Sequence, residues 1–202
     1  MIEKTMEKLK ENGFRVEYFK DRQGAAEYIL NSVSFGDKVG LGGSMTVKSL
    51  DINEKIINKG GIIIDHGVNN LTKEEKFELM RQELYSDLFL CSSNAVTEDG
   101  ELVNVDGNGN RVAAMMFGPK KVIITVGVNK ICKNIEEAYK RIEAYAGPKN
   151  NIRLNCENPC VKVNRCVDCK SPNRICRAYT ILKRKTSYSD ITVLIVNEEL
   201  GY

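Results

Sequence analysis

The chain has a single histidine, His66. One imidazole excludes a histidine-rich metal centre. No Ser/His/Asp set is visible around it, and a Cys–His pair is the nucleophilic arrangement it leaves open. Charge of one sign is scarce: 30 Lys and Arg stand against 27 Asp and Glu, a net +3, with basic residues scattered among acidic ones. That balance gives no footprint for non-specific nucleic-acid binding. Long apolar runs are missing too. None approaches the roughly 20 residues that cross a bilayer. The opening Met1-Ile2-Glu3-Lys4 lacks the apolar core of a secretion signal. The expectation is a cytoplasmic protein with no membrane contact. Repeats and low-complexity segments are absent. In a reducing compartment, seven cysteines read as thiols or metal ligands rather than disulfides.

What is present is a core: 42% of the 202 residues are hydrophobic. This length favours one domain, residues 1–202, with a Cys-rich segment (150–177) inside it. Strand-like and helix-like runs alternate. Ile2 to Lys10 reads as a helix, Phe14 to Phe19 as a strand, and Asp21 caps a second helix. Lys38-Val39-Gly40-Leu41 is a short buried strand, followed by Gly42-Gly43-Ser44 and an amphipathic helix from Met45 to Asn58. Gly61 to Asp65 is another strand. Thr72-x-x-Glu75 is a capping box opening a helix to about Leu84. Strands follow at Asp87 to Ser92 and Lys121 to Val126, and Asn134 caps a helix to about Tyr145. Tyr179 to Arg184 and Ile191 to Val196 read as a closing hairpin around Ser187-Tyr188-Ser189-Asp190. The pattern predicts an α/β fold, a mainly parallel sheet with helices on both faces.

Everything is organised around Asn94 to Arg111, N-A-V-T-E-D-G-E-L-V-N-V-D-G-N-G-N-R. Asp99-Gly100 is a tight-turn signal in which both central residues take positive φ at low cost, so residues 94 to 106 read as a hairpin. Asp106 to Asn110 is too rich in Gly and Asn for regular structure, and Asn110 is placed to cap the next helix. Ligands of parallel α/β sheets sit beyond the carboxyl ends of the strands. Three segments meet at that edge. Gly42, Gly43, Ser44, Met45 and Thr46 form the first. Asn94, Asn104, Asp106, Gly107, Asn108, Gly109, Asn110 and Arg111 come from the second, and Asn129 and Lys130 from the third. Together they predict one site for a small anionic metabolite. The Gly42-Gly43-Ser44 loop is neither a P-loop nor G-x-G-x-x-G. Lys48 and Lys130 are candidates for balancing a ligand's charge, with Lys48 read as a surface lysine. No catalytic residue stands out.

Cys156, Cys160, Cys166, Cys169 and Cys176 are spaced C-x3-C-x5-C-x2-C-x6-C. Thiolates converging on a cation would hold a loop-rich segment that has no core of its own. Cys160, Cys166, Cys169 and Cys176 are the candidate ligands, for zinc or an iron–sulfur cluster, with buried structural thiols as the alternative. Cys91 and Cys132 read as buried apolar residues.

The chain resembles the LUD (lactate-utilisation) domain family, close to the third, non-iron–sulfur component of bacterial lactate oxidation systems. The matching runs are Val39 to Thr46, Asn94 to Ala114, Phe117-Gly118-Pro119-Lys120-Lys121-Val122, Gly127-x-Asn129-Lys130-Ile131, and Arg165-Cys166-x-Asp168-Cys169-x-Ser171-Pro172-x-Arg174-Ile175-Cys176. The resemblance implies a fold like that of glucosamine-6-phosphate deaminase, ribose-5-phosphate isomerase and CoA transferases. It implies a role in cytoplasmic L-lactate oxidation to pyruvate beside iron–sulfur subunits. Two other readings stand with it: an isomerase- or CoA-transferase-like enzyme on a small phosphorylated or carboxylated metabolite, and a non-catalytic ligand-binding subunit. Whether it self-associates is left open. In the isomerase hairpin an acid is expected near Asn94. An amide hydrogen-bonds but does not shuttle a proton, so Glu98 or Asp106 would have to replace that acid.

Overall fold

Strand registers in the computed structural model, which describes residues 1–202, show where the ligand edge comes from. The first half contains α1 (Ile2–Glu11), β1 (Arg15–Phe19), α2 (Arg22–Asn31), β2 (Lys38–Leu41), α3 (Met45–Lys48), α4 (Asn53–Asn58), β3 (Ile62–Asp65), α5 (Lys73–Glu83) and β4 (Leu88–Cys91). The hairpin strands β5 (Ala95–Thr97) and β6 (Leu102–Asp106) follow, then α6 (Asn110–Met116) and β7 (Lys121–Gly127). A 3-10 turn at Val128–Lys130 leads to β8 (Ile131–Cys132) and α7 (Ile135–Arg141). A π turn (Ile142–Ala146), α8 (Gly147–Arg153), α9 (Pro159–Val163), β9 (Ala178–Leu182) and β10 (Asp190–Val196) complete the chain.

Six strands form a sheet in the order β1-β10-β7-β4-β2-β3, and every pairing in it is parallel. Its central strands are buried on both faces, because successive side chains point to opposite sides. Phe89, Cys91, Val122, Ile124, Ile191 and Val193 pack on one face with Leu9, Met115 and Leu102. Leu88, Leu90, Ile123, Leu194 and Val196 pack on the other against α2 and the α3–α4 region. From β2 the chain runs outward to β3, then returns to the far side of β2 as β4. The strand order therefore reverses between β2 and β4, and a crevice opens at such a reversal.

A second sheet, β8-β5-β6-β9, carries the central hairpin. β5 and β6 pair antiparallel, with Ala95 opposite Val103. The tip differs from the tight two-residue turn expected. Only Gly100 takes positive φ, at 76°. Gly100 N–H donates to Thr97 O at 2.9 Å and Thr97 N–H to Glu101 O at 3.0 Å, a three-residue loop with its left-handed residue last. Asn12 Nδ2 at the end of α1 donates to Asp99 O and Gly100 O, which pins the tip.

Three other expectations are corrected. Residues 45–58 are two helices, because the chain turns at Asp51, φ 50°. The segments at 179–184 and 191–196 are not a hairpin. β9 pairs with β6 in the second sheet, while β10 inserts between β1 and β7 in the first. The helix opened by Asn134 runs only to Arg141, then widens into the π turn and continues as α8 to Arg153.

Candidate functional site

Loops after β2, β3, β4 and β7 emerge at the same edge and surround a cavity of about 1100 Å³. Gly42 to Thr46, His66, Ser92 to Asn94 and Lys130 all line it. Gly42 lets the β2 loop run close against β4 and α6. A Cβ there would stand 2.9 Å from Phe89 Cζ and 3.2 Å from Arg111 Cγ. Gly43 holds φ 67°, and the Ser44 hydroxyl accepts from Val47 N–H at 3.2 Å to start α3.

Arg111 ties the edge together. Its Nε and Nη2 donate to Asp106 Oδ1 at 2.9 and 2.6 Å. Its Nη1 reaches Ser92 O at 2.7 Å and Asn104 Oδ1 at 2.6 Å, and Nη2 reaches Asn94 Oδ1 at 2.9 Å. Asp106 Oδ2 also accepts from Val112 N–H at 3.0 Å. Asp106 thus does the capping expected of Asn110; the N-cap position is Gly109, φ 81°, and it supplies no side-chain bond. This guanidinium is nearly spent on protein partners. Arg111, Asn94 and Asn104 are struts of the site. Asn94 Oδ1 also accepts from Val105 N–H at 2.9 Å.

Neither carboxylate considered as a substitute acid is free to serve. Asp106 is held by Arg111. Glu98 is tied to Lys4 at 3.0 Å and does not line the cavity.

Lys130 is the least ordinary group. It is 3% exposed, and none of its hydrogen-bond partners is a carboxylate. Its Nζ donates to Thr46 Oγ1 at 2.8 Å, Ser92 Oγ at 3.0 Å and Ser93 O at 3.4 Å. Burial, with the nearby guanidinium groups of Arg141 and Arg111, pulls its pKa down to about 7. The reason is the cost of holding a charge away from water beside like charges.

His66 follows β3, and its Nε2 would lie 3.5 Å from a Cβ on Gly43. Its Nδ1 is 2.5 Å from Glu83 Oε1. Glu83 is 1% exposed, and its second oxygen is buried without a partner. Burial depresses the His66 pKa, but the Glu83 hydrogen bond and charge, with Asp65 adding to them, outweigh it; the net shift is upward. A buried carboxylate behind an imidazole orients the ring and supports its charged form, an arrangement suited to proton transfer.

The walls are strongly cationic. Lys73, Lys76, Arg111, Lys130, Arg153, Arg174 and Arg177 line the cavity against one carboxylate, Asp106. Met45, Gly107, Asn108 and Asn110 line it as well. Asn104, Gly109 and Asn129 do not: Asn104 is buried behind Arg111, Gly109 starts α6, and Asn129 Oδ1 accepts from Leu200 N–H at 3.1 Å. Lys48 stands exposed outside it. Cys160, Cys166, Cys169 and Cys176 surround a second, smaller cavity. Sequence reasoning did not assign Glu83, Arg153, Arg174 or Arg177 to the site, and gave His66 no role there. Its position directly after a strand was the available signal.

Fold and site together define an α/β domain with a cationic cavity beyond the carboxyl edge of a parallel sheet. The sequence profile of the LUD domain matches residues 2–196, and the chain belongs to that family. A crystal structure of a DUF162 family protein from Deinococcus radiodurans is similar in fold, with a TM-score of 0.55, 11% identity, and 96% of this chain and 95% of that one covered. eIF2B beta from Chaetomium thermophilum gives a TM-score of 0.41 at 18% identity, over 58% of this chain and 44% of that one. A comparison with curated proteins gave no match. No helix is long and apolar enough to cross a membrane.

Proposed function

We propose that the chain binds a small anionic metabolite in this cavity and handles the substrate in cytoplasmic L-lactate oxidation to pyruvate, beside iron–sulfur subunits. The observation that carries the anion is the basic character of the wall, seven Lys and Arg side chains, with Lys130 near its titration midpoint, to one side-chain carboxylate. Family membership supports the lactate assignment. The oxidation removes two electrons and two protons. The cationic wall would hold the carboxylate and His66 backed by Glu83 would accept the hydroxyl proton, while the Cα hydrogen would leave with its electron pair to a two-electron acceptor on a partner subunit, from which the iron–sulfur centres would draw single electrons. The test is lactate-dependent reduction of an acceptor dye by the assembled subunits, with this chain present, omitted, or carrying Lys130→Met. The reading expects reduction only with the unaltered chain. Equal rates in all three would refute it.

The near-neutral amine of Lys130 favours a second reading, an isomerase- or CoA-transferase-like enzyme of the glucosamine-6-phosphate deaminase and ribose-5-phosphate isomerase fold. An uncharged lysine can take a proton or attack a carbonyl. Turnover of sugar phosphates or CoA esters by the chain alone would establish it. The engagement of Asn94 and Asp106 within the protein favours a third, a non-catalytic binding subunit, which ligand binding without turnover would establish.

A further inference from the structure

We propose that Cys160, Cys166, Cys169 and Cys176 form a four-thiolate site for one zinc ion. These four line one small cavity together with Asn151, Asn158 and Arg174, and Cys156 does not. The cavity holds about 20 Å³, room for a single ion.

The surrounding segment has little else to hold it. Between Cys156 and Arg177 the only regular element is the five-residue α9, and only Asn158 and Cys160 are buried. Yet the backbone is closely specified. Asn164, which caps α9, and Asp168 take positive φ, 52° and 43°, a conformation that Asn and Asp adopt more readily than other non-glycine residues. Asp168 lies inside the C-x2-C pair, and its N–H points at Cys166 Sγ, 3.4 Å away. An amide donor aimed at sulfur disperses thiolate charge. Arg174 clamps two ligand backbones: Nη1 donates to Cys169 O at 2.7 Å and Nε to Cys176 O at 2.9 Å. Cys166 N–H is fixed to Glu143 O at 2.8 Å.

Asn158 gives an independent observation. It is 2% exposed, and its Oδ1 has no partner. Its Nδ2 is spent on Asn151 Oδ1 and Asn173 O. A buried, unpartnered oxygen on the wall of the four-thiol cavity marks polar space that the protein alone does not fill; a zinc held by four thiolates has no coordination position for it. No three His, Cys, Asp or Glu side chains already stand at metal-binding geometry. Ion capture therefore includes χ1 rotation of thiols, which moves each Sγ by up to about 3 Å. Tetrahedral zinc needs four sulfurs at about 2.3 Å, and the ion replaces the missing core as the segment's organiser.

The experiment is zinc titration of the full chain, stripped with a chelator under reducing conditions, followed by elemental analysis after desalting. Cobalt substitution is read for thiolate charge-transfer and tetrahedral d–d absorption. Wild type and Cys156→Ser should each retain about one zinc per chain, and Cys166→Ser/Cys169→Ser should lose it with the cobalt spectrum. Arg174→Met should weaken zinc binding roughly 10- to 100-fold, as loss of a ligand-orienting partner does. Far-UV circular dichroism checks that each variant is folded. No zinc retained by the wild type, zinc retained by the folded double variant, or iron with acid-labile sulfide in anaerobically purified protein would each overturn the assignment.

Discussion

Lys130→Met separates the cost of burying an amine from everything else in the fold. The amine is cationic to 10.5 in the unfolded chain but only to about 7 in the folded one. Between those values the unfolded chain holds the extra proton, so folding becomes more favourable as pH rises. The gap corresponds to roughly 5 kcal/mol, an order-of-magnitude figure for a residue this deeply buried. Methionine has a similar length and no charge. Its neighbours keep partners after the change: Thr46 Oγ1 donates to Leu200 O at 3.1 Å and Ser92 Oγ to Ser93 O at 3.2 Å. The variant should therefore be more stable than the wild type at pH 7, by a few kcal/mol. Wild type should recover roughly 3 kcal/mol of that difference by about pH 9.5. With no tryptophan in the chain, urea unfolding is followed by far-UV circular dichroism. Other titrating groups are common to both proteins and cancel in the comparison. A difference in stability that stays the same from pH 7 to about 9.5 would refute a depressed Lys130.

His66 should titrate above 6.5 by NMR, and Glu83→Gln should lower its midpoint. The stability from this pair is complete below the unfolded midpoint and lost as pH rises through the folded one; an unshifted His66 would contradict the dyad. Gly100→Ala should destabilise by more than about 2 kcal/mol, since it adds left-handed strain to a clash. Its Cβ would meet Leu9 N and Lys8 C at 2.6 Å, and a neutral result in urea unfolding would contradict the pinned tip. Arg111→Lys should cost about 1–3 kcal/mol, because an ammonium keeps the charge but cannot serve all the acceptors the guanidinium reaches and leaves buried oxygens underpartnered; a fully stable variant would show that the strut is dispensable.

The site's framework was legible because parallel strands put successive loops at one edge. Gly42 to Thr46 and Asp106 to Arg111 could be expected there from strand–loop–helix order alone. Partners of distant strands were not legible. β9 and β10 show strand composition, but the short turn between them imitates a hairpin, and nothing local reveals that β10 inserts between β1 and β7 of the other sheet. Individual roles were harder still. Arg111 looked like a ligand contact because its charge shows in sequence and its protein acceptors do not. Lys130 was named as a candidate, but its near-neutral amine follows only from its burial. His66 and Glu83 meet across 17 positions with no shared motif.

The central claim is that Lys130 and the cationic wall receive a small anion. Isothermal titration calorimetry at about pH 8, with L-lactate, pyruvate, phosphate and ribose 5-phosphate, tests it in two buffers of different ionisation enthalpy. An anion placed against the amine raises its pKa, so binding should take up a proton. The account predicts saturable binding of at least one of these anions, with proton uptake that disappears in Lys130→Met. Binding of none of them, or binding to Lys130→Met with unchanged affinity and proton uptake, would contradict it.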